Sequence, residues 1–266
     1  MPRIVAKQDN LNARNAEFSQ ARLAAPAFLN SVPKCGTHLL RNILRMFVPV
    51  KQQYHAAFIQ YGILRQHAAA FSRNAPKLSW GHLLFSDDSA IALRHVHHIV
   101  QVRDPYDWVL ARTRFFLSDT FQGALEHLKG GSVGIDEMLN MMIFGIHNKA
   151  PSMNDIFTHN AVSWLGTKAV LLHFEDLLHH VKNIEAAQAE PFFRALLGNC
   201  GIAELPDDWR ERVRVGADRE QSGTARENLQ GGVADVPEEL PALQKRLVDY
   251  AAPGLREVLG YPRNGH

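Results

Sequence analysis

The stretch "FLNSVPKCGTHLLRNILRMF", residues 28–47, joins a short apolar run to a helical pattern through a loop that carries a lysine, a cysteine, a glycine and a threonine. Phe28 to Val32 is short and flanked like a buried strand, while Leu40, Ile43, Leu44 and Phe47 recur at the i, i+3, i+4, i+7 spacing of one helix face. The loop therefore belongs at a helix N-terminus. Backbone N–H groups without intrahelical partners and the positive end of the helix dipole favour an anion there, and Gly36 lets the backbone approach it without a Cβ in the way. A phosphate is the expected occupant.

Further along, the same strand-then-helix grammar repeats. Residues 55–71 ("HAAFIQYGILRQHAAAF") read as helical, and "KLSWGH" at 77–82 as a brief strand. "HHIVQV" at 97–102 is β-branched and apolar, and Asp104 and Pro105 suit the N-cap and first turn of a helix running to about Leu117. "KAVLLHF" at 168–174 reads as a third buried strand, and "LKGGSVG" at 128–134 and "GNCGIAELPDD" at 198–208 as loops. Strands alternating with helices imply an α/β fold with a central parallel sheet flanked by helices, whose ligand crevice lies beyond the carboxyl ends of the strands. Lys34, His82, Arg103 and Glu175 all fall there.

Composition narrows the partners. At 266 residues the chain is long enough for one large domain, expected over residues 26–266, with residues 1–25 as an N-terminal extension. A formal net charge of only +2 argues against DNA or RNA as the main partner, so any basic site must be local. Cys35 and Cys200 are too few for a disulfide framework, and residues 1–25 lack the continuous apolar core of a signal peptide or membrane span. A cytoplasmic protein is expected.

The anion loop is not the usual nucleoside-triphosphate loop, because its lysine precedes the glycine: Pro33-Lys34-Cys35-Gly36-Thr37. It resembles the 5′-phosphosulfate loop, P-K-S-G-T-T-W, of the sulfotransferases that use 3′-phosphoadenylyl sulfate (PAPS). Cys35 stands for the serine, His38 for the second threonine and Leu39 for the tryptophan. Four later segments resemble that family in order. "VQVRDPYDWVLARTRFF" (101–116) is similar to its 3′-phosphate segment. "MNDIFTHNAVSWL" (153–165) with "VLLHFEDLL" (170–178) is similar to its Y-x-x-H-x-x-x-W run and Y-E-D-L strand end. "GTARENLQGG" (223–232) and "LREVLGY" (255–261) resemble its late loop and its C-terminal ending.

The resemblance implies a three-layer, P-loop-like fold and a PAPS site made by Lys34, Cys35, Gly36, Thr37, His38, Leu39, Arg103, Phe174 and Arg226. It implies Lys34 as the cation at the departing phosphate and His82, in "SWGHL", as the general base, with no metal. Arg103 suits a 3′-phosphate because its planar fork binds such oxygens bidentately. The acceptor would be a hydroxyl or amine of a small molecule, and a homo-oligomer is compatible with the family. Two departures stand out. Ala111 replaces a serine of the 3′-phosphate segment, for which Thr113 or Arg112 would have to compensate, and Asn228 replaces a glycine of the late loop.

Rival readings accompany this one. A protein of the same fold that holds PAPS or its desulfated product (PAP) without transferring sulfate is the main alternative. Cys35 and Arg41 also form the C-x5-R spacing of a thiolate phosphatase, although His38, Leu39 and Leu40 are bulky for a loop that must wrap phosphate. His95, His97 and His98, and His179 with His180, raise a metal, but no carboxylate or cysteine completes a site around the first group. "MLNMMIFGI" at 138–146 reads as a buried helix or as an apolar acceptor wall, and Phe58, Tyr61, Trp80 and Phe85 divide between the same two roles.

Overall fold

The structure is a computed structural model that describes residues 3–4, 8–123, 125–222, 229 and 236–262. Its strands are β1 (Arg3–Ile4), β2 (Ala27–Ser31), β3 (Ile59–Gln60), β4 (Leu78–His82), β5 (His97–Val102), β6 (Phe121–Gln122) and β7 (Val170–His173). Its helices are α1 (Leu11–Asn15), α2 (Thr37–Arg45), α3 (Asp87–Leu93), α4 (Pro105–Leu117), α5 (Ile135–Phe144), α6 (Met153–Asn160), α7 (Phe174–Lys182), α8 (Ala189–Asn199), α9 (Trp209–Ala217), α10 (Ala242–Ala251) and α11 (Leu255–Val258). They divide into two compact units.

One unit comprises Asp9–Val102 and His159–Ser222. It holds a five-stranded sheet in the order β3-β4-β2-β5-β7, with every pairing parallel. The chain leaves β2 towards β4 on one side and later returns to pair β5 on its other side, so the strand order reverses at β2. That reversal opens the crevice of a parallel sheet at the carboxyl end of β2, where the quoted loop lies. On one face, Leu29, Trp80 and Ile99 pack with Leu40, Ile43 and Leu44 of α2, Phe193 and Leu196 of α8, and Trp209 and Val213 of α9. The apolar spacing of residues 40–47 thus becomes a buried stripe, with Leu40, Ile43 and Leu44 fully buried. Asn15 at the end of α1 donates to the carbonyls of Arg45 (2.6 Å) and Val48 (3.0 Å), which satisfies groups that the end of α2 leaves open.

The other unit comprises Met1–Gln8, Arg103–Thr158 and Gly223–His266. Here α4 packs with α5 and α10, and the two-residue strands β1 and β6 pair antiparallel. Asp104 caps α4 by accepting from the Tyr106 N–H, and Pro105 follows in the first turn, as the sequence predicts. Met138, Leu139, Met142 and Ile143 of α5 are buried, so the methionine-rich segment is core. Arg112 donates to the carbonyls of Met142 and Pro151, and the Thr113 hydroxyl to that of Val109, so both are committed to the fold.

Two expectations are corrected. Residues 55–71 are not one helix: Ile59–Gln60 pairs as the outer strand β3, and Tyr61–Phe71 forms 3-10 turns with a non-helical break at His67. The alanine-rich composition favours helix, but pairing with β4 claims the first part. The 168–174 strand is shorter, 170–173, and only partly buried, with Leu172 alone joining the core. It lies at the sheet edge with Val170 36% exposed, because an apolar run alone does not distinguish an inner from an outer strand.

Gly81 sets how closely β3 approaches. A Cβ there would lie 1.9 Å from the Ile59 carbonyl oxygen, and backbone cannot swing aside as a side chain can. Gly81→Ala is expected to lower unfolding stability by about 1–3 kcal/mol, measurable by urea denaturation.

Candidate active site

The loop after β2 is built by two left-handed residues. Lys34 has φ +70° and Gly36 φ +88°, between which the Cys35 N–H donates to the Val32 carbonyl at 3.2 Å. For glycine the left-handed region costs nothing, but for lysine it costs about 1–2 kcal/mol. Such strain at a non-glycine residue persists where the surroundings impose it, and it concentrates at ligand sites. Gly36 also has no room for a side chain, since a Cβ would fall 2.2 Å from the Phe174 ring. Phe174, the first residue of α7, therefore packs directly against the loop. Leu39 and Leu40 both donate to the Gly36 carbonyl (2.9 and 3.2 Å), so the amides of Thr37 and His38 precede the first intrahelical bond, at the positive end of α2.

His82 is tied to this loop through Ser31. Its Nδ1 lies 2.9 Å from the Ser31 carbonyl oxygen and 3.1 Å from Ser31 Oγ, and Ser31 Oγ lies 2.5 Å from Thr37 Oγ1. A carbonyl only accepts, so Nδ1 carries the proton and Nε2 keeps its lone pair. Burial, opposed by the bond to Ser31 and reinforced by the Lys34 charge, pushes His82 down to about 4. The ring is neutral at ordinary pH and meets Phe58 edge-on at 4.7 Å. His38 is likewise neutral, pushed down to about 3 by burial and then by Arg41, Lys34 and His82.

Asn30 and Ser31 escape a sequence reading aimed at charges and imidazoles. Asn30 is fully buried, donates to the Leu83 carbonyl at 3.0 Å and accepts from the Leu83 N–H at 2.9 Å, fixing the chain just after His82. The available signal is two consecutive polar residues closing an otherwise apolar strand.

The phosphatase spacing does not form a site. The Cys35 side chain is fully buried, and Arg41 turns to the Asn42 side chain (2.9 Å), to Asp9 (3.5 Å) and over the Trp80 ring. Trp80 is core, 5% exposed, whereas Tyr61 and Phe85 are surface residues.

Arg103 follows β5 in the chain and begins the other unit. Its neighbour Asp104 is gripped bidentately by Arg256 (3.1 and 2.8 Å), whose guanidinium stacks on Tyr106 at 4.2 Å. The Tyr106 hydroxyl in turn donates to Asp249 at 2.7 Å. The "LREVLGY" segment thus braces the turn that presents Arg103. Arg226, with Thr224 and Gly231 of the late loop, lies outside the described residues. Among the described residues no cluster of three metal-ligating side chains occurs, and no helix is long and apolar enough to cross a membrane.

No protein-family model and no curated protein matches the chain. Among solved structures, it resembles mouse sulfotransferase SULT7A1 complexed with PAP, with a TM-score of 0.55 and 14% identity over 95% of this chain and 94% of that one. Retinol dehydratase in complex with androsterone and inactive cofactor PAP aligns with a TM-score of 0.47 and 12% identity, over 92% of this chain and 84% of that one. The first likeness shows the fold, which in this chain is a five-stranded parallel sheet flanked by helices.

Proposed function

We propose that this chain, through a sulfotransferase-like domain at 26–266, transfers a sulfuryl group from PAPS to a hydroxyl or amine of a small acceptor, without a metal. The observation that supports it best is the Ser31 bridge, which couples the anion loop at Thr37 to a neutral His82 with a free Nε2 lone pair. The loop fits the 5′-phosphosulfate: two left-handed residues, helix amides and Lys34 give a cationic cradle with no Cβ at Gly36. Phe174 backs the loop, and the sequence resemblance assigns Arg103 to the 3′-phosphate and Cys35, His38, Leu39 and Arg226 to the rest of the nucleotide.

In the reaction, His82 Nε2 removes the acceptor proton as the acceptor oxygen or nitrogen bonds to sulfur. The bond from sulfur to the bridging oxygen breaks on the opposite side, and its electron pair stays on the phosphate oxygen. Lys34 and the amides of Gly36 and Thr37 stabilise that charge in place. PAP and the sulfated acceptor are the products.

A non-transferring PAP-binding protein is the second reading, favoured by Ala111 and by the commitment of Thr113 and Arg112 to backbone carbonyls. Release of PAP with a panel of phenols, alcohols, amines and sugars separates the two. Thermal shift tests the nucleotide itself: PAP should raise the melting temperature much more than ATP, and equal shifts would refute a 3′-phosphate site. Arg103→Ala is expected to weaken PAP binding by about 1.5–3 kcal/mol, the scale of a hydrogen bond to a charged group, measurable by calorimetry.

A further inference from the structure

A cavity of about 900 Å³ opens at the amino ends of β2, β5 and β7, the edge of the sheet opposite the anion loop. Arg73, Arg94, Lys168, His95, His97 and His98 line it, and among the described residues no carboxylate does. All belong to the sheet-bearing unit. The three cations are exposed, and among the described residues none has an ion-pair partner. Gly198 and Asn199 bring the carboxyl end of α8 to the cavity, but a helix end carries roughly half a negative charge, against three full positive ones. Such a like-charge cluster is unexpected in a chain whose formal net charge is +2.

The cations act together on one imidazole of the cavity wall, and a second, buried imidazole there is incompletely bonded. His95 is held below its ordinary value by desolvation and then by Arg73, Arg94 and Lys168 together, so one imidazole feels all three cations. His98 is 5% exposed, and its Nε2 has no hydrogen-bond partner among the described residues. A buried polar atom without a partner is uncommon in a folded protein, and this one belongs to a residue that lines the cavity. Burial pushes His98 down to about 3, so its ring is neutral and able to donate one N–H to an anionic oxygen.

We propose that this cavity is a second anion site, separate from the one at Lys34, and that it takes a small molecule carrying a multiply charged phosphate or sulfate ester group. Arg73 and Arg94 present planar forks suited to tetrahedral oxyanions, and Lys168 adds a point charge. The volume of this open cavity suits a compact ligand of nucleotide size or smaller. The site rests on charge and cavity alone and does not depend on the chain being a transferase.

Inorganic pyrophosphate is the probe, titrated into the full chain by calorimetry and by ring ¹⁵N shifts of the histidines. Lys34→Ala should keep saturable pyrophosphate binding and the accompanying shift of His98. The Arg73→Gln/Arg94→Gln/Lys168→Gln variant, whose changes are all exposed, should bind at this site about tenfold more weakly or worse and lose the His98 shift. The sheet and its melting temperature should be unchanged. Unaltered affinity in the triple variant, loss of all pyrophosphate binding in Lys34→Ala, or binding of long nucleic acid with none of pyrophosphate would each overturn the proposal.

Discussion

Replacing His82 by alanine is expected to lower sulfuryl transfer by about 10²–10⁴-fold while leaving PAP affinity within a few-fold of the parent. The asymmetry follows from the geometry: Ser31 holds the imidazole through Nδ1, and the anion loop keeps its Ser31–Thr37 bond when the ring is removed. His82→Asn, which keeps a side-chain donor for the Ser31 carbonyl, should be as inactive as the alanine variant but closer to the parent in stability. A pH profile adds the sign. The base acts when neutral, so with a free-protein value of about 4 the group stays competent down to mildly acidic pH and is lost as pH falls through that value. Lys34 is one cause of the lowering, and a nucleotide bound as proposed would set negative charge beside it. The His82 titration should therefore move upward on adding PAP. A turnover above a tenth of the parent in His82→Ala would transfer the role to another group, with His38 next in line.

How far the site could be read from the sequence depends on which physical signal each part emits. The β2–loop–α2 unit is legible because an apolar strand and a 3.6-residue stripe bracket a lysine and a glycine. Phe174 packs against Gly36, and Thr37 bonds to Ser31 at the end of β2. The two-residue strands leave no periodic trace, so β3 is hidden in an alanine-rich run, and with it the packing of Phe58 on His82. The bridging role of Ser31 is invisible for a different reason: it links residues six and fifty-one positions away, and only the parallel pairing of β2 with β4 brings them together. Arg256 is similar, since its grip on Asp104 spans 152 positions. Short-range patterns locate the elements, whereas cross-strand and end-to-end contacts determine how the functional side chains are held.

Lys34→Gly is expected to separate stability from activity in opposite directions. Lysine at φ +70° carries left-handed strain that glycine does not. The glycine variant gains by releasing that strain and loses through the larger entropy of its unfolded chain. Unfolding stability should therefore stay level or rise, by up to about 1 kcal/mol. Transfer should nonetheless fall by about 10²–10³-fold, the scale for removing a preorganised group that stabilises developing negative charge. PAP binding should weaken as well, because in the proposed site the same ammonium holds the phosphate before reaction. Urea denaturation and single-turnover kinetics on one preparation read both quantities. If Lys34→Gly lost activity together with several kcal/mol of stability, the lysine would be a structural support of the loop. If it kept parental turnover, charge stabilisation would fall to the helix amides alone. Stability held or gained, with the chemical step lost, is the outcome that assigns the strain at this residue to catalysis.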